Sequence, residues 1–93
     1  MINSIIANYQ ILEKIGEGGM GTVYKGVDLT LERPVAVKVL HSHLLSDQMV
    51  IDRFRSEAKT LANLNHPCLA TLYNFMQYDN TYCMVMEYLE GKT

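Results

Sequence analysis

The chain has 93 residues, 48% of them hydrophobic, and a formal net charge of −2. That is apolar material for one small domain and not for two. The eight basic residues are scattered, with no run of like charge, which argues against a nucleic-acid surface. No apolar stretch approaches the roughly 20 residues of a membrane span. Residues 1–8 lack the basic and small-residue features of a secretory signal, so a cytoplasmic location is expected, with an anchor elsewhere in a longer protein left open. Cys68 and Cys83 sit among apolar neighbours without CxxC spacing and read as two reduced, packed thiols.

In chain order, Tyr9 to Ile15 predicts a strand running into a glycine cluster. Thr22 to Asp28 predicts a second, rich in β-branched and aromatic residues. Glu32-Arg33-Pro34 reads as a turn, and the valine-dense Val35 to Leu40 as a third strand. Ser46 or Asp47 offers a helix cap. After it Val50, Phe54, Ala58, Leu61 and Leu64 recur at helical spacing, with Asp52, Arg53, Arg55, Ser56, Lys59 and Asn63 on the other face. Asn65-His66-Pro67 ends the helix, because the residue before proline avoids helical geometry. Leu69 to Gln77 and Thr81 to Glu87 predict two more strands, with a turn at Tyr78-Asp79-Asn80. The fold class is α+β: a five-stranded antiparallel sheet covered by one helix.

The cluster Gly16-Glu17-Gly18-Gly19-Met20-Gly21 fits G-x-G-x-x-G, a pattern that dinucleotide-binding folds share. In those folds the last glycine opens a helix. Here Thr22-Val23-Tyr24 reads as a strand, so the glycines lie in a hairpin, and the lack of Gly-Lys-Ser/Thr excludes a hydrolase phosphate loop. Glycines in a hairpin let backbone amides approach phosphate oxygens with no Cβ in the way. A merely flexible turn is the plain alternative.

Lys38 lies in Val35-Ala36-Val37-Lys38-Val39-Leu40, where alternation puts Ala36 and Lys38 on one face and the valines on the other. Alone it reads equally as a lysine snorkelling from a sheet edge. Glu57 lies three residues from Phe54 and four from Leu61, and so on the apolar helix face, where a carboxylate needs a partner. The partner is Lys38, or else Arg53 or solvent if Glu57 sits at the margin of the stripe. His41 and His43 have metal-like spacing but no third ligand nearby, and read as a solvated loop.

Taken together, Gly16-x-Gly18-x-x-Gly21-x-Val23, Val35-Ala36-Val37-Lys38, Glu57 on the single helix and Val85-Met86-Glu87-Tyr88-Leu89 resemble the N-terminal lobe of a protein kinase. The wording Gly18-Gly19-Met20-Gly21, with His66-Pro67 after the helix, is most similar to bacterial serine/threonine kinases of the eukaryotic type. The resemblance implies an N-terminal extension at 1–8 and a lobe at 9–93 that ends at the hinge, before a C-terminal lobe. It implies ATP as the bound nucleotide. Ile15, Gly16, Gly18, Gly19 and Gly21 would cover it, and Lys38, paired with Glu57, would hold its α- and β-phosphates. Val23 and Ala36 would roof the adenine, Met86 would close the rear, and the Glu87 carbonyl and Leu89 amide would meet the adenine edge.

No His-Arg-Asp or Asp-Phe-Gly occurs, and none of His41, His43 and His66 precedes Arg-Asp. The resemblance therefore puts the catalytic base, the Mg2+ ligands and the protein-substrate platform in residues beyond this chain. No metal is assigned here, and the fragment alone is expected to be inactive. Its uncovered apolar groups predict self-association. A docking or dimerisation module of kinase-like fold is the competing reading. A dinucleotide-dependent oxidoreductase is disfavoured by the strand after Gly21.

Overall fold

The computed structural model describes residues 2–63, 71–78 and 80–88. Among these residues, six strands form one antiparallel sheet: β1 (Ile5–Ile6), β2 (Tyr9–Glu17), β3 (Gly21–Asp28), β4 (Arg33–Leu40), β5 (Leu72–Tyr78) and β6 (Thr81–Glu87). Their order across the sheet is β1-β2-β3-β4-β6-β5, and α1 (Gln48–Asn63) leads from β4 towards β5. The sheet thus has six strands where the sequence predicts five. The addition, β1, is two residues long and pairs Ile5 with Gln10 and Ile6 with Tyr9. A strand that short carries no readable alternation, and it folds back through Ala7 at a φ of 54°.

The turn expected at Glu32-Arg33-Pro34 lies earlier, because Arg33 and Pro34 already belong to β4 and pair with Asp28 and Val27. Residues 29–32 make the turn around Asp28, only 3% exposed. Its Oδ1 accepts hydrogen bonds from the Thr30 amide (2.9 Å), the Leu31 amide (3.1 Å) and Asn8 Nδ2 (2.9 Å). Arg33 Nε lies 3.6 Å from Oδ2, and its guanidinium stacks 3.7 Å above the centre of the Tyr73 ring. Asp28→Ala strands both amides and leaves the half-exposed Arg33 without its carboxylate. It is expected to destabilise the fold by about 2 kcal/mol, within the range for leaving donors without their buried acceptor. Asp28→Asn, which keeps an acceptor, should lose much less, and urea denaturation of the two variants measures the difference.

The sheet buries both faces. On one, Val35, Val37, Val39, Cys83 and Val85 pack with Ile6, Tyr9 and Ile11 as the sheet curls over. Burial pushes the Cys83 thiol up to about 11, as suits a packed, unreactive group. Cys68, His66, Pro67 and Leu64 lie outside the described residues. On the other face Leu40 and Met84 pack with Ile51, Phe54 and Ala58 of α1. The rings of Phe54 and Phe75 join helix to sheet at 5.9 Å. Asp47 caps α1, its Oδ1 accepting from the Met49 amide at 3.1 Å and the Val50 amide at 3.4 Å. Ile51 is buried more deeply than the predicted Val50. The polar residues expected on the outer helix face are all exposed.

Candidate functional site

Cross-strand partners in an antiparallel sheet share a face. Register alone therefore draws two rows across the helix-facing side. One runs Gly16–Val23–Lys38–Met84, the next Lys25–Ala36–Met86. Three segments far apart in sequence thus supply one surface, bounded by the glycine hairpin, α1 and the end of β6.

Lys38 reaches off this surface to Glu57. Its Nζ lies 2.8 Å from Glu57 Oε1, and the side chains are 19% and 40% exposed. Phe54 lines the same space, its ring centre 6.0 Å from Nζ. Arg53, the alternative partner, lies on the exposed side of α1, so the carboxylate on the apolar helix face is answered by the strand lysine. A pair this open adds little to folding. What it does achieve is to fix an ammonium beside an open surface.

Above Lys38 the hairpin between β2 and β3 closes with a bond from the Gly18 amide to the Gly21 carbonyl, 2.9 Å. Its glycines are not equivalent. A Cβ on Gly21 would stand 2.4 Å from the Val39 carbonyl oxygen, so Gly21 is required by the close approach of β3 to β4. Gly18 and Gly19 have nothing within 4 Å of such an atom. Ile15 is the extra residue of a bulge between Lys14 and Gly16, and is 45% exposed at the edge of the surface. Glu17 pairs with Lys14. That hydrogen bond and the lysine charge, with a smaller push from His41, hold its carboxyl below the ordinary range despite some desolvation. The two charges cancel where an unpaired carboxylate would repel an anion.

The structure thus gathers Gly16, Val23, Ala36, Lys38, Glu57 and Met86 around one surface, with Gly18, Gly19 and Gly21 at its rim. Ala36 is only 8% exposed and Val23 and Met86 are half-buried, so these positions expose less apolar surface than expected. Glu87 ends β6, its amide bonded to the Thr71 carbonyl at 2.8 Å. Leu89 lies outside the described residues. Sequence reasoning missed three neighbours. Lys25 shares the Ala36 row and holds its Nζ 5.0 Å from the centre of the Tyr88 ring. Met20, at the hairpin tip, packs on the helix-side cluster. His41 is half-buried and bonded to the glycine hairpin rather than solvated, while its ring stacks on His43 with centroids 5.4 Å apart. Among the described residues no three His, Cys, Asp or Glu side chains converge as metal ligands. No helix among them is long and apolar enough to cross a membrane.

The family model for the protein kinase domain matches residues 9–93. The chain is 44% identical over 89 residues to the serine/threonine-protein kinase PrkC of Bacillus subtilis, covering 96% of itself and 14% of that protein. It is 40% identical over 87 residues to the serine/threonine-protein kinase PknL of Mycobacterium tuberculosis, covering 94% of itself and 22% of that protein. Among solved structures, the apo form of PpkA-294 superposes with a TM-score of 0.87 at 27% identity, over 100% of this chain and 40% of that one. The PknI kinase domain of Mycobacterium tuberculosis gives 0.76 at 25%, over 96% of this chain and 36% of that one. The chain therefore spans well under a third of the length of these two curated relatives. With the family model matched along nearly its whole length, this chain belongs to the protein kinase domain family.

Proposed function

We propose that this chain is the ATP-binding lobe of a serine/threonine protein kinase, which moves the γ-phosphoryl group of ATP to a protein hydroxyl. The observation that carries this reading is the Lys38 Nζ–Glu57 Oε1 contact of 2.8 Å on the face the glycine hairpin overhangs. Lys38 holds the α- and β-phosphates as a point charge, and Glu57 fixes where that charge sits. Backbone amides of the hairpin face the phosphates, where Gly18 and Gly19 leave open space. Val23 and Ala36 lie over the adenine with Ile15 beside it, and Met86 closes the rear. The Glu87 carbonyl and the Leu89 amide meet the adenine edge.

Mg2+ would neutralise phosphate charge during transfer. The described residues of this chain do not assemble a ligand set for it, and no step here runs through it. The same holds for the catalytic base, since the sequence contains neither His-Arg-Asp nor Asp-Phe-Gly. Binding and orientation of ATP are this lobe's share of the reaction. Joined to a C-terminal lobe that carries those motifs, it should phosphorylate a serine- and threonine-containing peptide from labelled ATP. The 93-residue chain alone should transfer no label. Transfer by the purified chain alone, or nucleotide binding that ignores Lys38, would overturn the proposal.

A further inference from the structure

His41 directly follows the last residue of β4, three positions beyond Lys38, and holds the glycine hairpin at two points. Its backbone amide donates to the Met20 carbonyl at 2.8 Å, and its ring Nε2 lies 3.1 Å from the Gly18 carbonyl oxygen. A carbonyl oxygen only accepts, so Nε2 must carry the hydrogen, which fixes the ring's role as donor. A Cβ on Gly18 or Gly19 would meet nothing within 4 Å, so no contact on that side holds either residue. Glycine-rich backbone has many conformations to lose when it is ordered. The fastenings of this tip are therefore few: the Gly18–Gly21 bond, the packing of Met20 and the two bonds from His41. The residue before His41, Leu40, pairs with Gly21, so the strand that positions Lys38 also positions the hairpin above it.

We propose that His41 is a positioning residue for the glycine hairpin: its ring, bonded to the Gly18 carbonyl, holds the turn in one arrangement over the Lys38 surface, so that nucleotide meets a pre-ordered lid. The ring touches no nucleotide in this scheme. It acts through the conformation of residues 16–21, and so on nucleotide affinity. The consequence for nucleotide rests on the functional reading above, whereas the consequence for the hairpin does not.

The test uses this chain with His41→Ala, His41→Gln and His41→Asn, and reads amide hydrogen exchange at Gly18 without nucleotide. Exchange at core Val37 reports whether each variant is folded. His41→Ala should speed exchange at Gly18 by about 2- to 12-fold, the range that one net hydrogen bond supports. His41→Gln, whose amide can still reach and donate, should return it close to the original rate. His41→Asn, too short to reach, should resemble alanine. If His41→Ala loses protection at Val37, the Gln and Asn variants carry the test, and equal exchange in the two overturns the proposal. So does unchanged Gly18 exchange in a folded His41→Ala. ATP titrations of the same samples should show affinity falling in step with exchange and recovering with Gln. Faster exchange with undiminished ATP affinity overturns the positioning role. If ATP fails to bind even the unsubstituted chain while the exchange pattern holds, the nucleotide reading of the site falls and the tether stands.

Discussion

Lys38→Ala is expected to lower phosphoryl transfer at least about 100-fold in a kinase domain built with this lobe, the scale of removing one fixed donor to developing phosphate charge. It should leave the fold nearly as stable as before. The two effects separate because of where the pair sits. With side chains 19% and 40% exposed, the Lys38–Glu57 bridge is worth at most about 1 kcal/mol to folding. Nucleotide phosphates, by contrast, would lose the cation that Glu57 fixes in place on this surface. Glu57→Ala should fall between: the ammonium survives, but 2.8 Å of fixed geometry is lost. Glu57→Gln keeps an acceptor and should recover part of the activity. Steady-state kinetics with thermal melts on the same samples decide it. Activity and stability falling together would make the pair a structural brace.

Gly21→Ala is expected to damage the fold itself. The new methyl would meet the Val39 carbonyl oxygen at 2.4 Å and its carbon at 3.1 Å. Both are backbone atoms of β4, so relief requires parting β3 from β4 beside Lys38. Such overpacking typically costs about 1–3 kcal/mol, and each kcal/mol lowers the melting temperature of a domain this small by roughly 4–8 °C. Gly18→Ala and Gly19→Ala, with open space around them, should change stability by no more than about 0.5 kcal/mol. Their effect should emerge only with ATP, as weaker thermal stabilisation by the nucleotide, because the added Cβ then stands between backbone and phosphate. Melts with and without ATP compare all three. Equal stability of Gly21→Ala and Gly18→Ala would contradict the β3–β4 register.

What the sequence made legible follows from demands that residues place on their surroundings. A glutamate on an apolar helix face needs a partner, and the lysine in a run of valines is one of the partners the sequence offers, beside Arg53 and solvent, so the Lys38–Glu57 pair is legible as an alternative that the fold selects. Long alternating strands and the Phe54-centred stripe were legible by period. The two-residue β1 has no period to read. The turn at 29–32 was hidden because Asp28 looks like an ordinary polar strand end, and only burial reveals that its carboxylate organises the loop. Gly26 gave no signal either, though a Cβ there would stand 2.6 Å from the Gln10 carbonyl oxygen. His41 was illegible for a related reason. Its partner is a backbone carbonyl 23 residues away, and any residue type supplies one. Lys25 and Tyr88 meet only because β3 and the end of β6 flank β4.

Nucleotide binding on the Lys38 face is tested by an ATP titration of the isotope-labelled chain followed by amide chemical shift, with Lys38→Ala as the control. Shifts should concentrate at Gly16, Gly18, Val23, Ala36, Lys38 and Glu87. Val35 and Val85, on the opposite face, should stay still, and the pattern should collapse in Lys38→Ala. Shifts centred on the opposite face, or an unchanged pattern in Lys38→Ala, would contradict it.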